Sequence, residues 1–196
     1  MDSVADVTLA GEAAGNYFGQ SVGPAGDVNG DGYADVIVGA YKYNGGQGKA
    51  YFYFGGPSMD NSSDLAMVGE GTADWFGGRV GAAGDVNRDG YDDMFISADA
   101  YNSNQGREYI YLGSASMDGN ADITLTGETG TTLFGVSAAT AGDVNADGYS
   151  DLVIGAFRYA NVVGRAYVYN GGASMDDVAD VTITGASGDY YGRSVD

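Results

Sequence analysis

Three short stretches of the chain alternate in step: AYFYFG from Ala50, EYIYLG from Glu108 and AYVYNG from Ala166. A period of two places Tyr51 and Tyr53, Tyr109 and Tyr111, and Tyr167 and Tyr169 on one face of a pleated strand. Ahead of each lies a continuous apolar run, Val36 to Ala40, Met94 to Ala98 and Leu152 to Ala156, bounded by Gly and Asp as buried strands are. Another strand leads into an acidic segment, at 20–28, 78–86 and 136–144. A further one alternates as an edge strand does: DVTLAGE at Asp6, DLAMVGE at Asp64, DITLTGE at Asp122 and DVTITGA at Asp180. No window carries the 3.6-residue period of an amphipathic helix, which excludes a helical repeat.

These elements recur every 58 residues, and the pairs Met1-Asp2, Met59-Asp60, Met117-Asp118 and Met175-Asp176 keep the same register. The chain is therefore one repeat array with units 1–58, 59–116, 117–174 and a partial 175–196, the last 22 residues repeating the first 22. Each unit buries its apolar face only against a neighbour. Four antiparallel strands per unit predict an all-β fold, a β-propeller of four-stranded blades, with about three blades present and one spare outer strand. A β-solenoid is the alternative, but its turns are usually shorter than 58 residues.

Between the first two strands of each unit stands an acidic nonapeptide: DVNGDGYAD from Asp27, DVNRDGYDD from Asp85 and DVNADGYSD from Asp143. Calcium takes six to eight oxygens, and a loop that supplies them from alternate residues can curl around one ion. The expected donors are Asp27, Asn29, Asp31, the Tyr33 carbonyl and Asp35; then Asp85, Asn87, Asp89, the Tyr91 carbonyl and Asp93; then Asp143, Asn145, Asp147, the Tyr149 carbonyl and Asp151. Gly32 stands where the chain must turn sharply. Three ions, one per complete repeat, are expected. An EF-hand would need Glu at the twelfth position, where these loops carry Val38, Ile96 and Ile154. Metal-free Asx turns are the bland alternative, and three copies in register argue against it.

The residues resemble the FG-GAP repeats of integrin α-subunit propellers and their bacterial relatives. The Phe-Gly element stands as Phe18-Gly19, Phe76-Gly77 and Phe134-Gly135, with Tyr191-Gly192 in the partial copy. The acidic loop follows, then Gly39-Ala40 and Gly155-Ala156. The sequence departs at Tyr41 and Phe157, where the family has Pro, and at Ser97-Ala98 in the middle copy. The resemblance implies a seven-bladed propeller in complete members, with each calcium loop joining the two inner strands of a blade and its ninth-position Asp closing the coordination sphere. Three blades fall short of a closed ring, so the chain is expected to be a fragment or subunit of a larger array, or to close by self-association with the spare strand exchanged.

Composition narrows the function classes. The net charge is −19, and all but four of the 27 acidic residues are Asp. Three bound calcium ions would bring this to −13. Such a surface repels nucleic acid and anionic lipid. With no His and no Cys, Ser-His-Asp, Cys-His and zinc sites are absent, so no enzyme is expected. No stretch approaches the ~20 apolar residues of a membrane span. The expectation is a calcium-binding module of an extracellular or cell-surface protein acting as an adhesion or interaction scaffold, with a protein or glycan as ligand. A self-assembling structural subunit and a non-catalytic accessory propeller of a larger extracellular enzyme are the alternatives. Trp75, in the variable turn before Phe76, is a candidate exposed contact, with Lys42, Tyr43, Arg158 and Tyr159 as weaker ones. Glu12, Glu70 and Glu128 share one repeat position, where capping or turn bonding is expected.

Overall fold

A computed structural model describes residues 4–196, so the Met1-Asp2 pair of the repeat register lies outside the described residues. Blade 1 is built from β1 (Ser21–Gly26), β2 (Asp35–Ala40), β3 (Lys49–Tyr53) and β4 (Leu65–Val68). Blade 2 is built from β5 (Val80–Gly84), β6 (Asp93–Ala98), β7 (Arg107–Tyr111) and β8 (Ile123–Thr126). Blade 3 is built from β9 (Ser137–Gly142), β10 (Asp151–Ala156), β11 (Arg165–Tyr169) and β12 (Val181–Thr184). Each blade is a separate four-stranded sheet whose strands pair in chain order, and all the pairings are antiparallel. The predicted blades and their number are thus the observed ones.

The two faces of a blade have different neighbours. Ala25, Ile37, Phe52 and Met67 of blade 1 form one buried cluster with Phe76, Ile96, Tyr109 and Tyr111 of blade 2. Ala83, Phe95, Ile110 and Leu125 on the far side of blade 2 repeat this against Phe134, Ile154, Tyr167 and Tyr169 of blade 3. The alternating Tyr pairs therefore face the preceding blade, while the residues between them face the following one. Burying each large side chain contributes roughly 1.5–3 kcal/mol. The inner strands meet closely at Gly23, where an added Cβ would stand 3.1 Å from the Val80 carbonyl oxygen.

The Phe-Gly element locks these packings. Gly77 donates its N–H to the Ser97 carbonyl at 3.0 Å within its own blade, and Gly19 and Gly135 bond Gly39 and Gly155 in the same way. Meanwhile Gly48 bridges to Phe76 in the next blade, and a Cβ on Gly39 would collide with the Gly77 carbonyl. The rings of Phe18, Phe76 and Phe134 stand edge-on to Tyr51, Tyr109 and Tyr167, with centroids 5.2–5.3 Å apart.

Two expectations change. The spare outer strand at 6–12 forms no ladder among the described residues, because its pairing partner would belong to a preceding blade, yet Leu9 still packs on the Val38, Tyr51 and Tyr53 cluster. Its place there matches that of Met67, 58 residues on, against blade 2. The first strand of each blade stops at Gly26, Gly84 or Gly142, short of the predicted ends, after a bulge that shifts the register just before the acidic loop. The fourth Phe-Gly turn is one residue shorter than its counterparts, and Tyr191 takes the Phe place by bridging to Gly164.

Candidate cation-binding loops

In each blade the acidic loop joins the two inner strands, as the resemblance implies, and the three copies fold alike. In loop 1, Asp27 accepts the N–H groups of Asp31 at 3.0 Å and Gly32 at 2.8 Å, one through each carboxylate oxygen. The Asn29 side-chain oxygen accepts the Asp31 N–H as well, at 2.9 Å, and Asp31 accepts the Tyr33 N–H at 2.9 Å. The same bonds recur from Asp85, Asn87 and Asp89 in loop 2 and from Asp143, Asn145 and Asp147 in loop 3. Positions 1, 3 and 5 are thereby gathered around one loop centre. Gly32, Gly90 and Gly148 have φ of +89°, +95° and +91°, the left-handed turn that the sequence called for.

The ninth residue is placed differently. Asp35, Asp93 and Asp151 are buried, and each divides its oxygens between two backbone donors. For Asp35 these are Val28 at 3.0 Å and Gly55 at 2.7 Å; for Asp93, Val86 and Gly113; for Asp151, Val144 and Gly171. This carboxylate ties the loop to the segment after the third strand. Burial pushes Asp93 up to about 7, with the Gly113 and Val86 bonds pulling against it, and raises Asp35 as well.

The donor chemistry fits a hard cation, since every side chain offered is a carboxylate or an amide oxygen. Among the described residues, however, no three acidic side chains already stand as a ligand group. The oxygens are held by the loop's own N–H groups, and holding an ion would require them to be shared or turned.

The other candidates lie on the opposite edge of the blades. Trp75, in the turn before β5, has φ of +62° and is half-buried. Its ring meets Tyr41 edge-on at 5.7 Å, and Lys42 Nζ lies 4.2 Å from its centre. A groove of about 190 Å³ between blades 1 and 2 is lined by Gln20, Tyr41, Trp75, Gly78, Arg79 and Asp99. Burial pushes Asp99 up to about 6 against the opposing pull of Arg79 and Lys42. Tyr43 and Tyr159 serve as platforms for Lys49 and Arg165, and the Arg158 N–H bonds the Thr132 carbonyl.

Glu12, Glu70 and Glu128 correct the expectation of capping. They pair with Lys49, Arg107 and Arg165, each 37 residues on. Sequence reasoning missed a second group, Ser97 and Glu108. They face each other across β6 and β7 in blade 2, both fully buried, with the Ser97 hydroxyl 2.8 Å from both carboxylate oxygens. Blades 1 and 3 carry Gly39 with Ala50 and Gly155 with Ala166 at these places. The signal was present in the sequence, in a Glu that replaces Ala in the same repeat where Ser replaces Gly.

Comparison with known proteins agrees with this architecture. The FG-GAP repeat model matches residues 18–53, 76–112 and 134–169. Integrin alpha-5 of Xenopus laevis is 30% identical over 190 residues, covering 90% of this chain and 18% of the relative. Integrin alpha-IIb of Mus musculus is 34% identical over 167 residues, 79% of this chain and 16% of the relative. Integrin alpha-8 of Gallus gallus is 34% identical over 169 residues, 80% and 15%. The chain thus spans less than a fifth of the length of these relatives. With three matched repeats, each falling on the first three strands of one blade, the chain belongs to the FG-GAP repeat family.

Proposed function

We propose that this chain is a calcium-binding β-propeller module of a secreted or cell-surface protein, acting as an adhesion or interaction scaffold. The observation that carries the reading is the threefold recurrence of one oxygen-only loop, bond for bond, in a family that includes the integrin α relatives. The ligands would be Asp27, Asn29, Asp31, the Tyr33 carbonyl and Asp35 in loop 1, and the residues at the same positions in loops 2 and 3. The ions would neutralise carboxylates that otherwise repel one another, and so hold the joints between inner strands. Extracellular modules bind calcium at roughly 10⁻⁴ to 10⁻³ M, within reach of three carboxylates per loop. A protein or glycan ligand would be sought on the opposite edge, at the groove of Tyr41, Trp75 and Asp99.

Chelation tests the reading. A site held at ten times its dissociation constant contributes about 1.4 kcal/mol, so stripping calcium should lower the thermal midpoint by several degrees. A midpoint unmoved by EDTA, with a flat calcium titration, would remove calcium from the function.

A second reading, assembly through blade ends, is favoured by the outer face of blade 3, where apolar side chains buried in the other blades stand exposed. Light scattering decides it: a monomer at high concentration leaves the scaffold reading alone.

A further inference from the structure

The acidic loops touch one another. The Asp92 N–H donates to the Asp27 carbonyl at 3.2 Å, and the Asp92 carboxylate accepts the Asp27 N–H at 2.9 Å. Asp92 is the eighth residue of loop 2, next to Asp93, and Asp27 is the first residue of loop 1. Ser150, at the same place in loop 3, donates its N–H to the Asp85 carbonyl of loop 2 at 3.0 Å. A second row of bonds runs alongside, from Ser114 N–H to the Val28 carbonyl at 2.8 Å and from Gly172 N–H to the Val86 carbonyl at 2.7 Å. Side chains close the remaining gap. The Tyr91 ring of loop 2 lies against Gly30 of loop 1, where an added Cβ would come within 2.6 Å of it, and Arg88 of loop 2 stands 6.0 Å from the centre of the Tyr149 ring in loop 3.

We infer that the three loops bind calcium as a coupled row, and that Asp92 is the positioning residue that links loop 1 to loop 2. The inference rests on the calcium reading above and adds to it. Ordering Asp93 in loop 2 fixes its neighbour Asp92, and Asp92 holds both backbone groups of Asp27, the first donor of loop 1. Part of the ordering that loop 1 needs is then complete before its own site fills, which is a coupling free energy between sites carried by a continuous chain of bonds. The link between loops 2 and 3 is thinner, since Ser150 supplies the backbone bond and, among the described residues, no side-chain bond to the Asp85 N–H is seen.

Calorimetric titration of the full chain with calcium chloride, after chelator stripping, tests this. The unaltered chain should fill its sites with positive cooperativity. Asp92→Ser, which installs the residue blade 3 carries naturally, should keep the number of ions, lose the steepness and weaken one site by about 5-fold or more. Asp89→Ala, which removes a loop 2 donor, should abolish one site and weaken a second by a similar factor, with far-ultraviolet circular dichroism confirming the sheets. Independent sites in the unaltered chain, or an Asp89→Ala chain whose remaining two sites keep full affinity, would overturn the coupling while leaving calcium binding intact. No binding heat and no terbium luminescence in the unaltered chain would overturn both.

Discussion

Blade 1 and blade 3 carry the same set of positions toward the following blade, and only one of them is covered. Val28 and Met67 of blade 1 are 0% and 4% exposed against blade 2, whereas Val144 and Ile183, their counterparts 116 residues on, are 58% and 44% exposed. Ile37 and Phe52 are sealed, while Val153 and Val168 at the matching places are half-open. The repeat therefore does not set its own burial; the neighbour does. Stability in such an array is a sum of blade terms and interface terms, so one residue at one repeat position can matter greatly or little depending on the copy.

The sharpest way to break this comparison is to truncate the side chain at one repeat position in both copies. Phe52→Ala should cost about 3–5 kcal/mol by urea unfolding, because it opens a cavity in a sealed interface. Val168→Ala, at the half-open counterpart, should cost roughly 1 kcal/mol or less. Equal costs would mean that the blade-to-blade interface contributes little.

The interface between blades 2 and 3 offers a second test, because it buries a carboxyl. Glu108 lies against Gly135 of blade 3, and its burial raises it well above the ordinary value of 4.5, with Ser97 pulling down and Asp99 pushing further up. A carboxyl whose folded value is raised contributes stability fully present below 4.5 and lost as pH rises through the folded value. Ser97→Gly alone leaves the buried carboxyl without its partner and should cost about 1–3 kcal/mol. Adding Glu108→Ala, which reproduces the Gly39 and Ala50 pair of blade 1, should restore most of that and flatten the stability profile above pH 4.5. A double variant with the original pH slope would place that slope in another group.

The smallest effect should be found where the blades do not differ in neighbours. The ion pairs of Glu12 with Lys49, Glu70 with Arg107 and Glu128 with Arg165 have exposed glutamates in every copy. Glu128→Gln should change stability by less than about 1 kcal/mol, and adding salt should shrink the difference further.

The sequence carried the blades and the loops because both depend on local order: a period of two for the strands, alternate acids for the turn. Even the Phe-Gly docking was readable, since it recurs at one spacing. What escaped is what depends on a partner elsewhere. Residues 6–12 look like a strand and form no ladder among the described residues, because the pairing strand would belong to a blade before them. Glu12 reads as a turn residue until the fold brings Lys49 beside it. Ser97 looked like a departure from the family pattern, and only the register of β6 on β7 shows that Glu108 compensates for it. The contacts between neighbouring loops were likewise hidden, since nothing in one nonapeptide says that its eighth residue holds the first residue of another.

One consequence concerns how the copies can drift apart. Gly26 is fixed twice over: its φ is +86°, and an added Cβ would run into the Asp92 side chain. Gly84 is caught in the same way by Ser150, whereas Gly142 keeps only its φ of +70°, with no atom within 4 Å of the place a Cβ would take. An Asn, the residue best able to imitate glycine there, fits at 142 and is shut out at 26. Variation at this glycine should then depend on which residue of the next blade stands against it, so that a copy's age since duplication cannot be read from the number of its substitutions without first asking what stands next to it.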